Sequence, residues 1–137
     1  MTGLFEILLP YSTYLALLVR VWVGVNFVAH GYPKLDKTKA QTLQWTKSLG
    51  VPTVATYLAI ILEFFGGLSL IMGFIVPIVG FFIAMEMIGN IYLKKMKMKA
   101  SYSGQNSYEI DVVYLILAIV LIVLGAGAIS VDSFAGL

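Results

Sequence analysis

Residues 53–93 read TVATYLAIILEFFGGLSLIMGFIVPIVGFFIAMEMIGNIYL, 41 residues in which Glu63 and Glu86 are the only charged side chains. A bilayer core of roughly 30 Å is crossed by about 20 helical residues, so this stretch is twice the length of one span. Gly73 and Pro77 stand near its middle. Proline near the start of a helix costs no hydrogen bond, because the first N–H groups have no intrahelical partner. The stretch therefore reads as two helices joined by a tight turn at Gly73–Pro77.

Working outward, Phe64–Met85 is 22 residues without a charge and Val112–Val131 is 20, while Val21–Pro33 is also charge-free. Together these predict four helices, at residues 10–32, 53–73, 76–95 and 110–129. Backbone groups in lipid must be satisfied inside the element, and the period-two alternation of a barrel strand is absent. The expected fold is all-α: an integral membrane four-helix bundle, forming one domain over residues 1–137. Composition agrees. The 137 residues are 60% hydrophobic and 12% charged, with a mean hydropathy of +0.94. A soluble domain is roughly 45–50% apolar and about 25% charged. Nine Lys and Arg are too few for a nucleic-acid-binding face. The absence of cysteine and the single histidine remove disulfides, thiol catalysis, Fe–S and zinc–thiolate sites and bis-histidine haem. No metal centre is expected.

The eight lysines define the two ends. Lys34, Lys37, Lys39 and Lys47 lie in or beside loop 33–52, and Lys94, Lys95, Lys97 and Lys99 in or beside loop 96–109. The opposite end has Glu6 and Asp132 and no lysine. The positive-inside rule places both loops in the cytoplasm and both termini outside. Residues 1–9 carry no Lys or Arg, unlike a secretory signal, so the first helix is expected to be retained.

Arg20, Glu63 and Glu86 fall about ten residues from the outer ends of their expected helices, about 15 Å deep at 1.5 Å per residue. A charge near the midplane costs roughly 2.5–3.5 kcal/mol on insertion scales, so the three are expected to converge and satisfy one another. Arg20, Gly24, Phe27 and Gly31 share one helical face, as do Glu63, Gly67 and Leu70, and Glu86 and Asn90. Small residues beside the charges allow close helix approach, and Gly24 is expected to meet Gly66–Gly67. Gly80 is expected on a less crowded face. One Arg against two Glu leaves a negative excess, which a proton, a second cation or a bound ligand would offset. The plain alternative is a structural clamp. A second cluster, His30 and Lys34 with Glu109 and Asp111, marks the cytoplasmic end. There the acids read as favourable charges at a helix N-terminus.

Three stretches carry a resemblance: VRVWVGVNFVAHGYPKL at 19–35, LEFFGGLSLIMG at 62–73 and GAGAISVD at 125–132. The chain resembles the DoxX/DoxD-like family of small four-helix membrane proteins. The matching positions are Arg20, Gly24, His30, Gly31 and Lys34; Glu63, Gly66 and Gly67; and Gly125, Gly127, Ser130 and Asp132. Ala128 stands where the closing motif often has a basic residue, and helix three offers Glu86 and Asn90 with no histidine. The resemblance implies a membrane subunit of a quinone-linked oxidoreductase, similar to thiosulfate:quinone oxidoreductase or a related sulfur or thiol redox complex. Such a subunit needs a redox partner. On that reading a quinone binds between helices one and two at Arg20, Gly24, His30, Glu63, Gly66 and Gly67. Glu63, Glu86 and His30 would carry protons, and Arg20 would stabilise developing negative charge. The other readings are a non-enzymatic assembly subunit with the charges as internal glue, and a small transporter or channel, which would need a homo-oligomer. The bilayer is the expected surrounding in every case.

Overall fold

The computed structural model describes residues 2–137. All of its regular structure is helical: α1, Gly3–Lys34; α2, Lys39–Ser48; α3, Thr53–Met72; α4, Val76–Lys97; α5, Glu109–Leu124; and α6, Val131–Ala135. The helices α1, α3 and α4 are long and apolar enough to cross a membrane. Their outward faces carry large apolar side chains, with Leu58, Ile78 and Ile88 each more than half exposed. An apolar surface of that extent needs lipid to cover it.

Two close-packed pairs build the bundle. In the first, α1 lies against α3 with glycine at each crossing. A Cβ placed on Gly24 would stand 2.6 Å from the Gly67 carbonyl oxygen, and one on Gly31 would stand 2.7 Å from the Phe64 nitrogen. In the second, α4 lies against α5, where a Cβ on Gly80 would meet Ile122 at 3.1 Å and the Ala118 carbonyl at 3.2 Å. The face expected to be less crowded at Gly80 is thus a buried helix contact, and both pairs use a glycine crossing. Val23, Phe27, Leu70, Val79, Ile83 and Leu121 fill the core between the pairs.

The turn between α3 and α4 lies where Gly73 and Pro77 put it. Gly73 takes a left-handed conformation (φ 76°) and ends α3. Ile75 is also left-handed at φ 45°, costly for a β-branched residue. Asp132 holds it there: its Oδ1 accepts from the Ile75 N–H at 2.6 Å and its Oδ2 from the Val76 N–H at 3.0 Å. The carboxylate thereby caps the start of α4.

Three boundaries differ from expectation. Helix one begins well before residue 10, with Leu9–Tyr11 forming a 3-10 turn around Pro10 within a 32-residue rod. Loop 33–52 contains α2, ten residues long. It is tied to α3 by the Thr56 hydroxyl, which donates to Thr46 Oγ1 at 2.8 Å. Helix four stops at Leu124 rather than 129, because Gly125 (φ 69°, ψ −158°) adopts a backbone conformation that favours glycine. At 16 residues it spans about 24 Å at 1.5 Å per residue.

Candidate functional site

The first helix's extra length sets the register of the charged residues. Across the α1–α3 contact, Gly31 lies at Glu63–Phe64, Gly24 at Gly67, and Arg20 at Gly73. Arg20 and Glu63 are thus offset by about ten residues along the pair, about 15 Å. The expected Arg20–Glu63–Glu86 cluster does not form. Equal depth was inferred from a helix start at residue 10, and the start lies earlier.

Arg20 belongs to the layer away from the lysine-rich loops. It is 2% exposed, and its Nη1 donates to the Ala126 carbonyl at 2.6 Å. Its guanidinium lies against Gly73. Asp132 is the acid whose field it feels, although that carboxylate is already spent on the Ile75 and Val76 N–H groups. The Ser130 hydroxyl donates to the Gly127 carbonyl at 2.7 Å and accepts from the Ser133 N–H. The Gly–x–Gly…Ser–x–Asp ending therefore folds into a plug that locks the 73–76 turn.

Glu63 and Glu86 do come together, at the lysine end. Glu63 is 8% exposed and sits in a π-turn, Leu62–Gly66, a helical irregularity frequent at functional sites. Lys34 Nζ donates to both of its oxygens, at 2.9 and 2.8 Å. Glu86, on α4, lines the same cavity as Glu63, and its Oε2 is buried with no partner. Of the three ways to offset the negative charge that the sequence left open, a second cation, Lys34, is present at Glu63. It answers one carboxylate and leaves the other open. Alongside, Lys94 Nζ donates to Asp111 Oδ2 at 2.7 Å. Asp111 is 6% exposed and forms an ion pair between α4 and α5, in addition to its favourable place in the first turn of α5.

These groups line one end of a cavity of about 1100 Å³ that runs between α3 and α4. His30, Lys34, Glu63, Glu86, Asn90, Lys94 and Asp111 stand at that end, with Trp45 and Thr46 of α2 beside them. Toward the turn the walls become apolar, with Leu68, Met72, Phe74, Val79 and Phe82. Of the residues expected to bind a cofactor, His30, Glu63 and Gly66 face this cavity, whereas Arg20, Gly24 and Gly67 do not. The space expected between helices one and two is closed by the glycine contact. It opens instead between helices two and three. Lys34, Lys94, Asp111 and Trp45 had no site role in the sequence reading. The signal for Lys34 was present in the His–Gly–x2–Lys pattern and in the unbalanced charge of two glutamates.

The family model described as DoxX matches residues 15–95, from the middle of α1 to the end of α4. A Bacillus subtilis (strain 168) protein named "Putative oxidoreductase CatD" is 32% identical over 118 residues, covering 86% of this chain and 84% of that protein. No solved structure matches the chain. The matched region contains the glycine crossing, the 73–77 turn, Glu63 and Glu86, and leaves Asp111 outside it. This membrane protein belongs to the DoxX family.

Proposed function

We propose that the chain is the membrane subunit of a quinone-linked oxidoreductase, with the cavity between α3 and α4 as its quinone site. One observation carries the reading: a largely apolar cavity of about 1100 Å³ has at one end the carboxyls of Glu63 and Glu86, with the Glu86 Oε2 buried and unpartnered. Ligand sites are typically such apolar concavities of about 300–1,000 Å³ with a few convergent polar groups. The name of the Bacillus subtilis relative points to the same class of chemistry.

The residues fit a ring bearing two carbonyl oxygens and a long apolar tail. Leu68, Met72, Phe74 and Phe82 would hold the tail, and Lys34, Glu86 and His30 stand where polar oxygens would end. A quinone, when bound, takes up two electrons and two protons to become a quinol. The electrons are assigned to a reduced sulfur or thiol donor acting through a partner subunit. Glu63 and Glu86 line the same end of the cavity, and because neighbouring carboxylates disfavour a second negative charge, the pair would hold one proton. Lys34 fixes Glu63, so Glu86 is the carboxyl free to donate. Gly66 leaves the cavity wall flat, and the apolar side chains exclude water from the carboxyl pair. The lysine end is assigned to the cytoplasm by the positive-inside rule, with residues 2–9 and 125–137 on the opposite side.

Trp45 provides the test, since it lines the cavity and Trp22 is the second of two tryptophans. In a Trp22→Phe background, titration with a short-chain quinone should quench Trp45 saturably, and Glu86→Gln should weaken binding. Folded protein that shows only linear, non-saturating quenching would support an assembly role instead.

A further inference from the structure

We propose that Glu63 and Glu86 form a one-sided proton site, reached through polar side chains from the lysine end of the bundle and through none from the opposite end. The idea deepens the quinone reading by naming the side from which its protons come. It rests on features that stand without any quinone.

Toward the lysine end the path is polar at each helical turn. Glu86, Asn90 and Lys94 are four residues apart along α4, so they share one face, and all three line the cavity. Lys94 reaches Asp111 on α5, and Lys34 reaches Glu63 on α3. Both lysine side chains are partly exposed, at 25% and 29%, over carboxylates that are 8% and 10% exposed. Each is a flexible ammonium on a four-carbon stem, placed over a buried acid. Swinging either one aside opens a carboxylate to water. Glu86 feels the fields of Glu63, Lys34 and Asp111 together, so the cluster is one electrostatic unit. His30 of α1 and Tyr114 of α5 complete the titratable groups on the cavity wall.

Toward the other end the cavity wall carries nothing that titrates: beyond Glu63 and Glu86 it is formed by Leu68, Met72, Phe74, Ile75, Val79 and Phe82. The Ser69 hydroxyl, the one hydroxyl on the cavity wall there, donates to the Phe74 carbonyl at 2.6 Å. A wall of this kind offers no side chain that could relay a proton. Arg20 and Asp132 lie outside the cavity, bonded to the Ala126 carbonyl and to the Ile75 and Val76 N–H groups.

The test is infrared difference spectroscopy on proteoliposomes without quinone. Vesicles are sorted into two orientations by an impermeant label on Ser103→Cys, in the loop beside Lys99. The proton held by the pair gives a protonated-carboxyl band, assigned by its loss in Glu86→Gln and its frequency shift in Glu86→Asp, which keeps a carboxyl if the amide variant fails to fold. A pH step in the bath should change this band only when the lysine end faces the bath. In the other orientation it should change only after an ionophore equilibrates the lumen. Equal responses in both orientations would overturn the proposal, as would the absence of a protonated-carboxyl band sensitive to either substitution. Failure of quinone binding at Trp45 would leave this result untouched, so the two ideas fail separately.

Discussion

The two ends of the bundle solve the same problem, charge buried in a membrane protein, in opposite ways. At the end away from the lysines Arg20 and Asp132 bond to backbone, and the Arg20 Nε has no partner. The guanidinium donates to a carbonyl and the carboxylate accepts from two N–H groups, and neither residue faces the cavity. At the lysine end the acids are satisfied by side chains from other helices, and one carboxyl oxygen has no partner. Charge bound to backbone is held as firmly as the fold itself. Charge bound to a lysine stem can be released, and an unpartnered oxygen on a cavity-lining residue has capacity to spare for a ligand or a proton, whereas the unpartnered Arg20 Nε belongs to a residue outside the cavity. Burial alone therefore does not identify a working residue in this molecule. The nature of the partner does.

The sharpest way to break this comparison is at Asp132. Asp132→Ala removes two hydrogen bonds to a charged acceptor, each worth about 1.5–3 kcal/mol, and leaves Ile75 strained without support. We expect a loss of at least about 3 kcal/mol, read as a large fall in thermal midpoint in detergent. Wild-type stability would show that the plug is not structural.

A smaller effect is expected at the helix crossings that keep the layers apart. A Cβ on Gly67 would stand 2.8 Å from the Gly24 carbonyl oxygen and 2.9 Å from the Val28 nitrogen, whereas one on Gly80 would first meet the Ile122 side chain at 3.1 Å. Backbone cannot give way as a side chain can. Gly67→Leu should therefore cost more than Gly80→Leu, by about 1–2 kcal/mol within the range for overpacking. Equal melting points would argue against the α1–α3 register, and with it the separation of Arg20 from Glu63.

Coupling energies sharpen the contrast further. A double-mutant cycle on Lys34→Met and Glu63→Gln should give about 1 kcal/mol, as for groups in contact. The cycle on Arg20→Met and Glu63→Gln should close within about 0.5 kcal/mol, as for residues with no shared partner. Coupling of Arg20 to Glu63 as strong as that of Lys34 would reunite the two layers.

Much of this arrangement was legible in the sequence. The 41-residue apolar stretch with Gly73 and Pro77 inside it located the turn, and the glycines near Arg20 and Glu63 located one helix contact. Depth was not legible, because it depends on where a helix begins in a run of apolar residues that has no clear start. Residues 2–9 are apolar enough to extend the rod, and that shift moved Arg20 away from the glutamates. Glu63 and Glu86 still lie at one end of a common cavity, since both helices are pinned by the same turn at 73–77. Asp132 read as a solitary outer charge. Only the folded chain shows it reaching back 57 positions to the Ile75 N–H.

The central claim is that ligand chemistry belongs to the lysine-end layer and structural support to the opposite one. Photoaffinity labelling with an azido-quinone, followed by peptide mass spectrometry, tests it most directly. Adducts should concentrate on α3 and α4 around Glu63, Met85 and Asn90, compete with unlabelled quinone, and be absent around Arg20 and residues 126–132. Competable adducts at Arg20 or in the 126–132 plug, with α3 and α4 unmodified, would contradict the account.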